Sequence, residues 1–258
     1  YRISIGIFSL VIRMIQTLNY HLGCISIDSK ILSLMEIKQG KEPQSFLRGS
    51  ENFSQKKEGI LKLEELKKLR IAFVHDWLTG MRGGENVLEQ MIEVLGPRDL
   101  YTLVSIEDKL SDTIRSCKII PSFLNNFPLA KSKHQLFLPL FPLAIESFDF
   151  SEYDLVVSTS HCVARGAITR SHTFHFSYLH TPVRYAWDFS KVYQASLKPR
   201  FLVDLIWPIF MHYLRMWDTA AVPRVDHYTC NARNVARRIQ KIYNRESEVI
   251  YPPVDTER

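Results

Sequence analysis

The sequence predicts an α/β fold, a doubly wound parallel sheet with right-handed crossovers, and three observations support this expectation. Short apolar runs alternate with amphipathic helical patterns along the chain. Residues 153–158 are apolar without polar alternation, as in a strand buried on both faces in the middle of a parallel sheet. Polar residues directly follow several of the runs, at the strand ends where ligands bind in such sheets.

The expected strands, in chain order, are residues 71–74, 100–104, 117–120, 153–158, 174–179, 226–230 and 249–251. Helical patterns lie between them at residues 87–95, 107–115, 201–217 and 231–243. Residues 122–148 are rich in phenylalanine and proline, and we expect loop and broken helix there. We expect the helix at residues 201–217 to be interrupted at Pro208, because proline lacks the N–H group that a helix interior needs.

A glycine turn joins the first strand to the first helix. Gly80, Gly83 and Gly84 are three of the ten glycines in the chain. Glycine lets the backbone approach a ligand closely, and the free N–H groups at a helix start favour phosphate. The spacing matches neither the dinucleotide-binding pattern nor the P-loop. A nucleotide or phosphorylated ligand is the first interpretation, and an ordinary turn before the first helix is the alternative.

Histidines stand at three strand ends. His75 is followed by Asp76 and Trp77, and His161 and His180 each come directly after a strand. Histidine donates, accepts or titrates near neutral pH, so several at one rim suit the recognition of hydroxyl groups or of a diphosphate. We expect His161 and His180 to be functional. The remaining internal histidines are expected to be structural: His134, His172, His175, His212 and His227.

Composition limits the classes of protein. A chain of 258 residues with 46% hydrophobic residues can bury a large core. Its four cysteines are far apart in sequence, which argues against a disulfide framework or a metal cluster and favours a reducing cytosol. Residues 69–258 hold 22 basic against 20 acidic side chains, too balanced for a typical nucleic-acid-binding protein.

Residues 1–68 differ from the rest of the chain. They hold 11 basic against 7 acidic side chains, and residues 36–57 are polar without periodicity. The apolar run at residues 3–12 is too short to span a bilayer. We expect a poorly structured N-terminal extension foreign to the fold, ending in a short helix near residues 61–68, with a domain boundary at about residue 68.

Six motifs taken together resemble a known family. They are VHDWL at 74–78, RGGE at 82–85, DLVVSTSH at 154–161, HTPVRYAWD at 180–188, VDHYTCNARNVARRI at 225–239 and VIYPPVD at 249–255. This ordered set resembles the N-terminal half of a family 4 retaining glycosyltransferase of the GT-B fold. It is most similar to bacterial mannosyltransferase-like enzymes of surface polysaccharide biosynthesis. The resemblance covers residues 69–258 and implies a Rossmann-like, acceptor-side domain.

The resemblance also implies roles for individual residues. Gly83 and Gly84 would bind the donor phosphates through their N–H groups, and His161 and His180 would be the catalytic residues on the acceptor and reaction side. The candidates for contacts with sugar hydroxyls or phosphate of the acceptor are Asp76, Arg184 and Asp188. An ion pair between Arg184 and Asp188 that braces the loop is the alternative for those two residues.

The implied reaction transfers a hexose from a nucleoside-diphosphate sugar to a saccharide or lipid-linked acceptor with retained configuration. GDP-mannose is the favoured donor. No cofactor or metal is expected, since the family generally lacks the D-x-D motif and none occurs in this sequence. The family's C-terminal half supplies the basic pair and the E-x7-E element that hold the donor. This chain lacks them, so we expect an incomplete fragment that is inactive without a C-terminal domain or a partner chain.

A cytoplasmic location is expected, with possible peripheral contact with the inner membrane. The aromatic helix at residues 201–217 would lie on the membrane near a lipid-linked acceptor. Packing of its aromatic residues into the core is the alternative. For the whole chain, the alternative function is a non-catalytic phosphate- or sugar-binding module that acts only with a partner subunit. A Rossmann oxidoreductase is disfavoured because the dinucleotide fingerprint is missing.

Overall fold

In the computed structural model, which describes residues 66–196 and 199–252, seven strands form one parallel sheet. The strands are β1 Ile71–His75, β2 Asp99–Thr102, β3 Lys118–Pro121, β4 Leu155–Ser160, β5 Phe174–Leu179, β6 His227–Cys230 and β7 Glu248–Val249. The α-helices are α1 Gly83–Leu95, α2 Asp112–Arg115, α3 Ala130–Lys133, α4 Phe141–Glu146, α5 Ser190–Ser196, α6 Arg200–Ala220 and α7 Arg233–Tyr243. Short 3₁₀ helices lie at Glu107–Lys109, Phe123–Asn126, His134–Leu140, Ala164–Gly166 and Val222–Arg224.

The order of the strands across the sheet is β3-β2-β1-β4-β5-β6-β7, and every neighbouring pair is parallel. The chain therefore builds outward from β1 in one direction and from β4 in the other. The topological switch point of the sheet lies between the neighbouring strands β1 and β4. In open α/β folds, ligands bind beyond the carboxyl ends of the strands at this point. The predicted Rossmann-like α/β fold is confirmed, and β4 is the central strand.

Alternate side chains of the central strands enter two different cores. On one face, Phe73 and Val157 pack with Val87, Leu88 and the rest of the apolar stripe of α1. On the other face, the core contains the following residues of β1, β4, α4 and α6: Ala72, Val74, Val156, Phe141, Met211, Leu214 and Trp217. Because both faces are covered, β1, β4 and β5 are buried along their full length. This burial explains the apolar runs of β1 and of the first half of β4. β5 alternates apolar and polar side chains, and its buried His175 is hydrogen-bonded to Ser158 and to the Arg224 carbonyl.

Helix α6 corrects one sequence prediction. It runs without a break through Pro208, where an interruption was expected. Proline removes the hydrogen bond to the carbonyl group four residues earlier, at Asp204, and both residues are exposed. Water can satisfy that carbonyl, so the helix continues. No helix in the described parts of the chain has the length and apolar character that crossing a membrane would require.

The N-terminal extension lies almost wholly outside the described residues, as does its predicted short helix. Leu66 is fully buried in the same core as α1, and the carbonyl of Lys67 accepts a hydrogen bond from Arg98 at 2.6 Å. Native contacts therefore include residues that the prediction assigned to the extension. The boundary at residue 68 stays a prediction.

Candidate functional site

Three strand ends meet at the switch point. β1 ends at His75, which pairs in register with Thr159 of β4, and Ser160 of β4 pairs with Leu179 of β5. The residues that follow these ends therefore stand side by side at one edge of the sheet. The ring centroid of His161 lies 6.1 Å from that of His75 and 6.4 Å from that of His180.

The glycine turn brings the start of α1 against two of these rings. A β-carbon placed on Gly84 would stand 3.5 Å from Nε2 of His180 and 3.5 Å from Cε1 of His75. At Gly83, which is exposed, the same construction meets no atom within 4 Å. Gly84 therefore faces the imidazoles, and Gly83 faces open space. We call the site formed by Gly83, Gly84, His75, His161 and His180 the recess.

The carboxylate of Glu85 holds the turn. Arg82, the residue before α1, is extended, and its N–H group donates to the Glu85 carboxylate at 3.2 Å. This contact satisfies one donor at the helix start with a side chain. Glu85 is buried, so its carboxylate serves the turn and is not available to a ligand. The first N–H groups of the helix, at Gly83 and Gly84, have no helical acceptor and are suited to an anion.

Two imidazoles of the recess are neutral at neutral pH. Burial and the neighbouring His161 lower the pKa of His75 to about 3 and that of His180 to about 4. Nδ1 of His75 contacts the Thr159 hydroxyl at 2.5 Å. Nε2 of each ring is buried and makes no hydrogen bond within the described residues. Such unpaired buried nitrogens are costly unless a ligand or water satisfies them.

Asp76 lies beneath the recess and is fully buried. Its two oxygens accept four backbone N–H groups of the loop after β4, from His161, Cys162, Val163 and Ala164, at 2.6 to 2.9 Å. One oxygen also lies 3.1 Å from Nδ1 of His161. Burial alone would raise the pKa of Asp76, but His161 and the backbone donors outweigh it and lower the pKa below its ordinary value. Asp76 is therefore an ionised carboxylate whose contacts are all to the protein.

The loop after β5 is anchored by α7. Arg238 of α7 forms an ion pair with Asp188 and donates to the Thr181 hydroxyl at 2.6 Å. The loop-bracing pair predicted between Arg184 and Asp188 therefore forms with a different arginine. Arg184 is exposed and has no ion pair within the described residues. Its guanidinium is open to a ligand, whereas Asp188 is only partly so.

A buried ion pair ties the loops after β4 and β5 together. Arg165 and Asp218 are both fully buried and form an ion pair. The Asp218 carboxylate also accepts the indole N–H of Trp187 at 2.7 Å and the hydroxyl of Tyr243 at 2.9 Å. The Arg165 guanidinium lies 4.3 Å from the centre of the Tyr243 ring. Since Arg165 belongs to the loop after β4 and Trp187 to the loop after β5, this cluster sets their relative position.

The structure brings together most, but not all, of the residues singled out from the sequence. Gly83, Gly84, His161 and His180 share the recess, and Asp76 supports it from below. The residues 184–188 lie on the neighbouring loop. His75, which the sequence placed at the rim without a role, contributes a ring to the recess. The sequence signal for His75 is that it is a third histidine at the end of a strand.

Three further residues of the site region could not be identified from the sequence, because none of them follows a strand directly: Arg165, Asp218 and Arg238. Each lies in an ordinary helical or loop sequence, and only the fold shows what they contact. His175 lies inside β5, where it contacts the Ser158 hydroxyl and the Arg224 carbonyl, both at 2.9 Å. Within the described ranges, no group of three histidine, cysteine or acidic side chains has the geometry to hold a metal ion.

Comparison with known proteins adds a family to this geometry. Residues 81–258 match the model of the family described as Glycosyltransferase Family 4, which covers more than half of the chain. The matched segment begins at the glycine turn and includes the loops after β4 and β5. A search of the curated proteins found no match.

Proposed function

Because the chain belongs to glycosyltransferase family 4, we propose that it forms the acceptor-side domain of an enzyme that transfers a hexose from a nucleoside-diphosphate sugar to a hydroxyl group. Mannose from GDP-mannose is the favoured donor, and a saccharide or a lipid-linked sugar of surface polysaccharide synthesis is the favoured acceptor. The single observation that carries the proposal is the recess, where a helix start and three imidazoles converge at the switch point.

The donor diphosphate is assigned to the helix side of the recess. The backbone N–H groups of Gly83 and Gly84 lack helical acceptors, and the positive end of the α1 dipole points at the same place. No side chain in the described part of the chain lies within 4 Å of where a β-carbon on Gly83 would stand. A side chain at Gly83 would take the volume that a phosphate oxygen needs.

The acceptor is assigned to the histidine side. Nε2 of His180 is buried and unpaired at the edge of the recess, so a hydroxyl group bound there would satisfy it. His161 is 29% exposed and stands between the recess and solvent. The exposed Arg184 is assigned to a more distant hydroxyl or phosphate of the acceptor, together with Asp188. Asp76 reaches the acceptor only through His161.

Retention of configuration follows from attack on the same face of the sugar that the diphosphate leaves. In this mechanism the leaving phosphate accepts the proton of the acceptor hydroxyl, so no carboxylate base is required. The neutral His180 orients that hydroxyl without competing for its proton. Most of the stabilisation of the leaving diphosphate would come from the family's donor-binding half, so we expect the 258-residue chain to be inactive alone.

Helix α6 supplies a surface for peripheral contact with an anionic membrane. Six large apolar side chains along it are 44% to 73% exposed: Phe201, Leu205, Ile206, Ile209, Tyr213 and Met216. An exposed apolar stripe of this size on one helix is typical of an interfacial helix. Lys191 and Arg200 are exposed beside it, and Asp204, the exposed acidic side chain of α6, is paired with Arg200.

The same helix supports the rim of the recess. Arg215 of α6 donates to the carbonyl of Ala186 at 2.8 Å, and the Trp207 indole donates to the Ser190 hydroxyl at 2.9 Å. A membrane under α6 would therefore lie next to the loop that carries His180. This placement favours a lipid-linked acceptor. Three other aromatic residues of α6 pack into the core: the buried Trp217 and the half-buried Trp207 and Phe210. For these residues the alternative interpretation of the helix, core packing, applies.

The test of the function is a transfer assay in two parts. The chain is incubated with radioactive GDP-mannose and an extracted lipid fraction, first alone and then with a separately produced donor-binding half of the same family. We expect labelled lipid only in the second mixture. Transfer by the chain alone would contradict its proposed inactivity. Binding of GDP-mannose without transfer in either mixture would favour the alternative, a non-catalytic sugar-phosphate-binding module.

A further inference from the structure

We propose that the chain has a second anion-binding site, at the edge of the sheet opposite the recess, for an unesterified diphosphate group, free or at the end of a nucleotide. A cavity of about 520 Å³ lies at this edge, and we call it the basic cavity. Its wall includes residues at or next to the first positions of β1, β2 and β3: Arg70, Ile71, Arg98, Asp99 and Lys118. None of these residues belongs to the recess, so the second site does not depend on the proposed sugar transfer.

The lining of the basic cavity is strongly cationic. Among the described residues that line it, one side chain is acidic, Asp99, and five are basic: Lys67, Lys68, Arg70, Arg98 and Lys118. Residues 69–258 as a whole hold 22 basic against 20 acidic side chains, so this concentration of positive charge is local. A cavity lined mainly by one sign of charge raises the local concentration of counter-ions. The ligand that suits this lining is therefore an anion.

Contacts within the protein already engage two charged groups of the lining. Arg70 donates to both oxygens of Asp154, at 2.7 and 3.2 Å. Asp99 accepts the hydroxyl group of Tyr153 at 2.5 Å. Arg70 therefore has its own carboxylate partner, and one oxygen of Asp99 serves Tyr153. Neither residue is assigned to the ligand.

Two lysines of the lining are available to a ligand. Lys68 and Lys118 are both exposed, and neither forms an ion pair within the described residues. Lys68 belongs to the segment that leads into β1, and Lys118 is the first residue of β3. Because β2 lies between β1 and β3 in the sheet, the two lysines approach the basic cavity from either side of the start of β2.

Arg98, which directly precedes β2, is the third cation assigned to the ligand. It is half-buried, and one of its terminal N–H groups donates to the carbonyl of Lys67 at 2.6 Å. Its Nε is buried and has no hydrogen-bond partner in the described parts of the chain. Buried donors are normally satisfied by protein, by ordered water or by a bound ion. A guanidinium held in this way is oriented in advance for a phosphate group.

The arrangement of these cations favours a diphosphate over a single phosphate. A diphosphate has acceptor oxygens at both ends, so it can contact Arg98 and a lysine on either side of it. The volume of the basic cavity lies within the range of small-molecule sites, about 300–1,000 Å³. Apolar residues in the lining, Leu69, Ile71 and Pro97, would suit an attached nucleoside. A free terminal phosphate carries a second negative charge that an ester lacks, so a sugar nucleotide should bind here more weakly.

The test is calorimetry with inorganic diphosphate. The full chain carries Gly83→Val, so that binding at the glycine turn does not contribute. Lys68→Glu combined with Lys118→Glu then reverses two exposed charges of the basic cavity. We expect diphosphate to bind the Gly83→Val chain and to bind at least about tenfold more weakly after the two lysines are replaced. Absence of binding to the Gly83→Val chain, or equal affinities with and without the lysines, would overturn the proposal.

The matched control reverses two charges on α7. Arg237 and Lys241 are exposed, lie one turn apart, and form no ion pair within the described ranges. Arg237→Glu combined with Lys241→Glu, also in the Gly83→Val chain, should leave the affinity for diphosphate unchanged. The thermal midpoints of both double variants show whether the fold is retained. Equal weakening in two folded variants would indicate general attraction to a basic protein and would overturn the proposal.

Three further probes define the ligand of the basic cavity. We expect orthophosphate and GDP-mannose to bind the Gly83→Val chain at least about tenfold more weakly than diphosphate does. Equal binding of either probe would overturn the assignment of an unesterified diphosphate. GDP that binds more tightly than diphosphate would assign the site to nucleotides, and equal binding would assign it to diphosphate itself. These measurements need no acceptor and no donor-binding half, so their failure is distinguishable from a failure of the proposed transfer.

Discussion

The carboxylate of Asp76 lies 3.1 Å from Nδ1 of His161, although 85 residues separate them in the chain. The contact joins the end of β1 to the end of β4, the two strands that flank the switch point. Because Asp76 also binds the next three backbone N–H groups of that loop, the loop has one defined position relative to the glycine turn. Asp76 therefore sets the position of His161 in the recess.

The buried pair Arg165–Asp218 is expected to be essential for the stability of the domain. Arg165→Met would leave the Asp218 carboxylate buried without its charged partner. Loss of one partner of a buried pair costs about 3–5 kcal/mol. We expect a decrease of that size in the free energy of unfolding, measured by urea denaturation. The same truncation at an exposed pair is the control.

That control is Arg200→Met, which removes the partner of Asp204 on the surface of α6. The two side chains are 66% and 48% exposed. Exposed pairs contribute about 1 kcal/mol or less, so this variant should unfold almost as the unmodified chain does. Equal losses in the two variants would contradict the structural role assigned to the buried pair.

Stability should decrease as the pH falls from 7 to 5. Burial lowers the pKa of His75 to about 3 and that of His175 to about 4, whereas histidine in an unfolded chain has a pKa of about 6.5. Well above pH 6.5 each histidine is neutral in both the folded and the unfolded chain, so neither changes the free energy of unfolding. Below it the unfolded state binds protons first, so each histidine should cost about 2 kcal/mol at pH 5.

His75→Gln tests this pH dependence, since glutamine does not titrate. The free energy of unfolding of the variant should fall about 2 kcal/mol less between pH 7 and pH 5 than that of the unmodified chain. The comparison is between slopes, so a lower stability of the variant at pH 7 does not affect it. Identical losses in the two proteins would show that His75 is not held neutral in the fold.

The exposed stripe of α6 predicts binding to lipid vesicles. We expect the chain to sediment with vesicles that contain phosphatidylglycerol and less with neutral phosphatidylcholine vesicles. Leu205→Glu combined with Ile209→Glu places two negative charges on side chains that are 66% and 68% exposed. This variant should fold normally and stay in the supernatant.

The matched control places the same charges elsewhere on the surface. Leu136 and Leu143 are 60% and 57% exposed, and they lie outside α6. Leu136→Glu combined with Leu143→Glu should sediment with anionic vesicles as the unmodified chain does. Release of both variants to the same extent would remove α6 as the membrane contact. Concentration-dependent self-association of the unmodified chain that the α6 variant abolishes would assign the stripe to a second copy.

The fold was predictable because burial on both faces leaves a strong signal. All seven strands lie within a few residues of their predicted positions, since parallel strands read as continuous apolar runs between helices. The continuity of α6 through Pro208 was not predictable. It depends on whether water can reach one carbonyl group, and exposure is a property of the assembled fold.

The candidate site was predictable at its strand ends and hidden elsewhere. The rule that ligands bind beyond the carboxyl ends of parallel strands identified the glycine turn, His161 and His180. It could not identify what Asp76 contacts, because its four N–H partners belong to a loop more than 80 residues away. The same holds for Arg238, whose pairing with Asp188 depends on how α7 packs.

If the glycine turn holds the diphosphate of a sugar nucleotide, calorimetry with GDP-mannose, on the chain combined with a donor-binding half of the same family, detects it most directly. Within the described residues, neither Gly80 nor Gly83 has an atom within 4 Å of where a β-carbon would stand, so both positions have open space for a side chain. We expect Gly83→Val to weaken binding at least about tenfold, or about 1.4 kcal/mol, and Gly80→Val to leave it unchanged. Equal affinities for the unmodified chain and Gly83→Val would contradict the account.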